Sequence, residues 1–168
     1  MKKYIVILAA MAIVIVMVGG AYAATTTQTV GAAATIQTMC ANGTNGTLAF
    51  GSIDPSGGST VSATGASLAY KCSKGTSFSV TGISGPNAEP PVTCSASPCT
   101  FVGVMKSTGT PADTLGYTLS ITTYNGYAGT GFGASVAIPF TGTVTVAQFQ
   151  NAVPHADYAE TVTVTISY

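Results

Sequence analysis

Apolar and polar residues alternate with a period of two along most of the chain, in short runs bounded by Gly, Pro and Asn. Val30, Ala32, Ala34 and Ile36 alternate with Gly31, Ala33, Thr35 and Gln37. Leu48 and Phe50 lead into a turn signal, Asp54-Pro55-Ser56-Gly57-Gly58. Ala66, Leu68, Tyr70 and Cys72 form the next run, then Phe78 and Val80. Phe101 to Met105 is more continuously apolar. Leu115, Tyr117, Leu119 and Ile121 alternate again, as do Ala134, Val136, Ile138 and Phe140, followed by Val144 and Val146. The last run is the cleanest, with Val162, Val164, Ile166 and Tyr168 on one face and Thr161, Thr163, Thr165 and Ser167 on the other. Period-two alternation marks half-buried strands, and about eight to ten of them separated by turn clusters predict an all-β sandwich. A helical period is weakly present only at Val146 to Val153. The Gly-rich stretch Tyr124 to Gly133 reads as a loop.

The first residues follow a different pattern. Lys2 and Lys3 precede an unbroken apolar run from Tyr4 to Val18, and Ala21-Tyr22-Ala23 supplies a small-x-small cleavage pattern. This is the layout of a secretory signal peptide over residues 1–23. The run is short of the roughly 20 residues a spanning helix needs. Residues 24–168 remain, enough for one domain with its own core. Residues 24–38 read as an extended leader and residues 39–168 as the sandwich.

Composition narrows the function. Charged residues make up 6% of the chain, against about 25% in ordinary domains. After cleavage Lys71, Lys74 and Lys106 face Asp54, Glu89, Asp113, Asp157 and Glu160, and there is no Arg. Without clustered cations to displace counterions from phosphate, nucleic-acid binding is excluded as an expectation. Polarity comes from Thr, Ser, Gly and Asn instead. Thr suits strands while presenting a hydroxyl, and a neutral Thr-rich β surface is poorly protected against sheet-to-sheet association. Export makes assembly the economical reading of such a surface.

Export also makes disulfides the default for Cys40, Cys72, Cys94 and Cys99. Of three possible pairings, Cys40–Cys72 with Cys94–Cys99 is preferred. Cys94-Ser-Ala-Ser-Pro-Cys99 can clip its own loop, and Cys40–Cys72 would tie the first strand to a later one. That closure contributes roughly 3–4 kcal/mol through the unfolded state. A zinc site is disfavoured, since His155 is the sole imidazole and tight Cys spacing is lacking.

Catalytic chemistry needs a matched acid, base or nucleophile. His155 follows Pro154 and reads as an exposed loop residue. The carboxylates are scattered, with only Asp157 and Glu160 close in sequence, and no serine sits in a Gly-x-Ser-x-Gly elbow. Gly131-Phe132-Gly133 lacks the context of a nucleotide loop. No catalytic, metal or cofactor residues are assigned, and the chain is read as a non-enzyme. Asn42-Gly43-Thr44 and Asn45-Gly46-Thr47 match glycosylation sequons but read as turn sequences.

Several segments together resemble the spore coat protein U family, whose members include subunits of archaic chaperone–usher pili. The Thr-rich leader runs into Cys40. Thr47 to Pro55 is similar to the family's L-x-F-G-x-y-d-P stretch, and Cys72 to Val80 to its C-x-x-G-x-x-y-x-v segment. Leu115 to Leu119 resembles its l-x-Y-x-l strand. Asp157 to Tyr168 resembles its G-x-Y-x-D-T-v-x-V-t-v-x-y ending, although the usual Gly is replaced and the family's Arg is lacking. The resemblance implies an incomplete immunoglobulin-like sandwich completed by a donor strand. A periplasmic chaperone supplies that strand first, and the leader of another copy or a related pilin supplies it after passage through an outer-membrane usher. It also implies a surface fibre serving adhesion or biofilm formation, with no small-molecule cofactor. The leader's Val30, Ala32, Ala34 and Ile36 become donor residues. Val162, Val164, Ile166 and Tyr168 become the acceptor edge, on a final strand with nothing after it to cover it. The alternatives are a coat or matrix protein of the same fold, and a monomeric carbohydrate-binding module using Tyr124 and Tyr127.

Overall fold

The computed structural model describes residues 28–65, 67–87 and 90–168. The signal-peptide assignment, the start of the leader, Ala66 and Glu89 lie outside the described residues. The chain divides into a leader unit ending at Thr35 and a β unit from Ile36 to Tyr168. In the leader unit the described residues form no strand and are exposed, Val30 by 93%.

The β unit contains twelve described strands and one short helix. They are β1 (Cys40–Asn42), β2 (Val61–Thr64), β3 (Leu68–Cys72), β4 (Ser77–Ser84), β5 (Val92–Thr93) and β6 (Cys99–Ser107). There follow β7 (Thr114–Ile121), β8 (Tyr127–Ala128), β9 (Val136–Ile138), β10 (Phe140–Val144), α1 (Val146–Gln150), β11 (Tyr158–Ala159) and β12 (Thr163–Ser167). Every pairing is antiparallel. The largest sheet runs β11-β6-β7-β10-β2. Another runs β1-β3-β9, and a third runs β12-β4-β5 with β8 also on β4. The architecture is all-β and consistent with a β-sandwich.

The core follows from alternation. On β7, Leu115, Tyr117, Leu119 and Ile121 are all buried while the residues between them are not. Phe101 from β6 and Ile138, Phe140 and Val144 from β9 and β10 join them. From the smaller sheets come Tyr70, Cys72, Phe78, Val80 and Ile83, and the whole set is one apolar cluster. The apolar run Phe101 to Met105 is one-sided after all, because Val102 points outward and is 46% exposed.

Ala134 to Phe140 departs from the single run that alternation predicts. Pro139 cannot donate to a ladder, and the strand breaks there. β9 pairs with β3, whereas β10 pairs with β7 and β2. Ile138 and Phe140 stay buried on either side of the break, so the segment changes sheets without losing its inward face. The weak helical signal after it is real. Thr145 N–H donates to Gln148 Oε1 at 2.7 Å, a capping arrangement that starts α1, and Phe149 plugs into the core.

The Gly-rich stretch is more ordered than a loop. β8 pairs with Ser77 and Phe78, and Gly129 exchanges backbone hydrogen bonds with Thr76 and Gly75 over the β3–β4 turn. A Cβ on Gly129 would sit 2.3 Å from the Ser73 carbonyl oxygen, so glycine is required by this approach.

Cys40 is bonded to Cys72, and Cys94 to Cys99, the pairing preferred from sequence. Two disulfides and no free cysteine belong to an oxidising, extracytoplasmic compartment. No helix among the described residues is long and apolar enough to cross a membrane.

Phe101 is fully buried between paired strands. Phe101→Ala should therefore lower unfolding free energy by about 3–5 kcal/mol in urea titrations of the oxidised protein. A loss below about 1 kcal/mol would mean that this part of the core is not close-packed.

Candidate functional site

The β unit carries an open groove of about 570 Å³. One wall is β12. It pairs with β4 on one side, from Thr163↔Ser84 to Ser167↔Ser79, and with no described strand on the other. Its Val164 and Ile166, with Val162 just before it, line the groove half-buried, and the threonines between them are exposed. The opposite wall is the segment from Asn42 to Leu48, with Phe50 beyond it. β1 pairs only with β3, and the Gly43 N–H extends that ladder to the Ala69 carbonyl at 2.9 Å. Two strand edges thus flank the groove with no described strand between them.

The floor belongs to the largest sheet. Tyr117, Leu119 and Ile121 of β7, Phe140 of β10 and Met105 of β6 line it. Leu48 and Phe50 belong to no strand, contrary to the sequence pattern, but fold inward over this floor. Gly142 makes room for them, since a Cβ there would lie 2.3 Å from Leu48 Cδ2. The Phe50 ring meets Tyr117 edge-on at 6.0 Å. The Tyr117 hydroxyl donates to Glu160 Oε2 at 2.7 Å, and the Asn87 N–H donates to Glu160 Oε1 at 3.3 Å. Burial, with the Glu160 carboxylate beside it, pushes the Tyr117 phenol far above its ordinary value, so it remains a donor.

A second cavity of about 740 Å³ shares Leu48, Phe50 and Met105 with the first. It is walled by residues 48–55 and 152–158, with Phe149 below. His155 lies here and is not the free loop residue its sequence context suggests. Its Nε2 is 2.7 Å from Asp113 Oδ2, both side chains are about a quarter exposed, and its ring meets Tyr158 edge-on. The Tyr158 hydroxyl donates to the Val153 carbonyl at 2.6 Å. Asp157 and Glu160 straddle β11 and do separate jobs. Asp157 closes the β6–β7 turn by accepting from Ser107 Oγ at 2.9 Å, Thr108 Oγ1 at 2.5 Å and Gly109 N–H at 2.9 Å.

Of the residues assigned to the acceptor edge, Val162, Val164 and Ile166 line the groove. Tyr168 follows the end of β12, is 63% exposed and does not line it. Among the donor residues, Val30, Ala32, Ala34 and Ile36 are all exposed outside any strand, Ile36 by 90%. Tyr124 and Tyr127 do not form a solvent-facing platform. Both pack against the core, with the Tyr127 ring stacked on Phe78 at 5.3 Å and its hydroxyl bonded to the Thr123 carbonyl. Among the described residues no three His, Cys, Asp or Glu side chains are grouped to hold a metal. The groove's second wall was not foreseen, because Asn42 to Leu48 lacks alternation and its role depends on contacts distant in sequence. A comparison with protein-family profiles and with curated proteins finds no match.

Asp157 supplies a pH prediction. Hydrogen bonds from the Thr108 hydroxyl, the Gly109 amide and the Ser107 hydroxyl hold its carboxyl well below the ordinary 3.8. The folded state thus favours the ionised form. That stability is present above the unfolded value near 3.8 and is lost as pH falls through the lower folded value. Asp157→Asn should melt earlier than the native chain at neutral pH, with the gap closing below pH 3.8. A gap that does not narrow in acid would show that these bonds do not depend on charge.

Proposed function

We propose that the chain is a structural subunit of an extracellular fibre, joined to its neighbours by donor-strand exchange. In this reading the sandwich is immunoglobulin-like and incomplete, and the leader of one copy lies in the groove of the next. The observation that carries the reading is the groove itself, which has an apolar floor and two flanking strand edges that no described strand covers. A strand laid between them would pair with both edges and bury its alternate side chains, as in β-augmentation. The leader has the required form, being uncharged and alternating, and its described residues form no strand of their own.

Magnitudes favour a durable joint. Burying Val30 and Ile36 fully contributes about 1.5–3 kcal/mol each, with less from Ala32 and Ala34. Each ladder hydrogen bond adds a net 0.5–1.5 kcal/mol, roughly, so about ten of them would supply the larger share. Export, the oxidising compartment and the resemblance to chaperone–usher pilins fit the same reading. A periplasmic chaperone would cover the groove in transit, and an outer-membrane usher would exchange it for a leader. Adhesion or biofilm formation is the role such a fibre serves.

Material sheared from producing cells should give a ladder of multimers containing this chain on a denaturing gel, collapsing to monomer on boiling. Val30→Asp or Ile36→Asp should abolish the ladder while leaving a folded, oxidised domain, because an unpaired charge cannot enter an apolar groove without a large desolvation cost. Normal ladders from both variants would remove the leader from the joint. A lone monomer band from the native chain before boiling would favour a coat protein or a monomeric module.

A further inference from the structure

Three Asn-Gly pairs occur in the chain, Asn42-Gly43, Asn45-Gly46 and Asn125-Gly126, and all three asparagines are exposed. An Asn-Gly pair can deamidate without a catalyst, because glycine has no Cβ to obstruct its own backbone nitrogen. That nitrogen attacks Cγ of the asparagine and gives its proton to solvent. A new N–C bond forms, the carboxamide C–N bond breaks, and ammonia leaves. One water then opens the cyclic imide at either carbonyl, giving aspartate or isoaspartate with no change of oxidation state.

The attacking nitrogen is held differently at the three sites. Gly43 N–H donates to the Ala69 carbonyl at 2.9 Å, and its backbone is pressed so close that a Cβ would lie 2.6 Å from that oxygen. The Gly46 N–H lies outside any strand and donates to no protein group among the described residues. Gly126 has φ +80° just before β8 and is equally unengaged. Asn45 and Asn125 differ in place, since Asn45 lies on the groove wall with Leu48, Leu68, Tyr70 and Val164, and Asn125 does not line the groove.

We propose that Asn45 is a deamidation site whose conversion retires subunits that have not assembled. The proposal rests on the donor-strand reading for its consequence, though not for its chemistry. Conversion places a second carboxylate in a groove that Glu160 already lines, and isoaspartate also lengthens the backbone by one carbon where an incoming strand would pair. Both oppose docking, the first through the desolvation that a docking strand would impose on the new charge and the second by displacing the hydrogen-bonding register. A docked strand would in turn tie down the Asn45–Gly46 backbone and halt the reaction.

The test is to hold the purified full chain at mildly alkaline pH and follow deamidation at each asparagine by peptide mapping with mass spectrometry. In the monomer, Asn45 and Asn125 should convert roughly tenfold faster than Asn42, whose glycine nitrogen must first leave its ladder bond. An Asn42 rate equal to that of Asn45, or an intact Asn45, would overturn the proposal. In sheared multimers Asn45 should slow at least several-fold relative to Asn125, and aged monomers should fail to enter new multimers in proportion to Asn45 conversion. Equal Asn45 rates in monomer and multimer would overturn its role in assembly. A chain that forms no multimers while Asn45 still converts would defeat the fibre reading and leave the chemistry standing.

Discussion

Backbone N–H and C=O groups at a sheet edge must find water or another strand, and here two such edges border one apolar trough. β12 is bonded to β4 along one side, and β1 to β3 along one side. Between them Leu119, Ile121 and Phe140 of the largest sheet line the trough while remaining buried in the core. Sheet proteins ordinarily guard such edges with lysine, proline or inward charge. The segment from Thr161 to Tyr168 has none of these, and its inward residues are Val162, Val164 and Ile166. A register shift at Thr165/Ile166 interrupts the pairing with β4, and no described strand pairs with the other side of β12. The arrangement suits a strand arriving from another molecule.

The junction between leader and sheet fits the same account. Cys40 opens β1 and is bonded to Cys72, which is wholly buried at the end of β3. Just before it, Met39 and Ser73 exchange backbone and side-chain hydrogen bonds, with Met39 N–H on Ser73 Oγ at 3.1 Å and Ser73 N–H on the Met39 carbonyl at 2.9 Å. A load on the leader would therefore enter the core through a covalent bond, and β1 would not need to peel from β3 for the leader to bear it.

Legibility in the sequence followed how local each cause was. β7 and β12 were plain because strict alternation between Leu115 and Ile121, and between Thr161 and Ile166, leaves only one face apolar. The sheet change at Pro139 was hidden because Ile138 and Phe140 keep their phase, and phase alone says nothing about which neighbour a strand chooses. Tyr124 and Tyr127 looked exposed in a Gly-rich segment, yet Gly129 is what lets that segment close over the β3–β4 turn, and both rings pack half-buried against the core. His155 looked idle because its partner, Asp113, lies 42 positions away. The apolar half of the groove could be read from the final strand, whereas its second wall depends on the Gly43–Ala69 contact and the space above Gly142.

The central claim is that the groove of one copy receives a strand from another. Amide hydrogen exchange, compared between the isolated subunit and boiling-sensitive multimers, addresses it most directly. The account predicts that amides on the groove-facing edges of Asn42–Leu48 and Thr163–Ser167, together with those of residues 30–36, exchange much more slowly in the multimer, while the β6–β7 turn is unchanged. Equal exchange at both groove edges in the two states would contradict it.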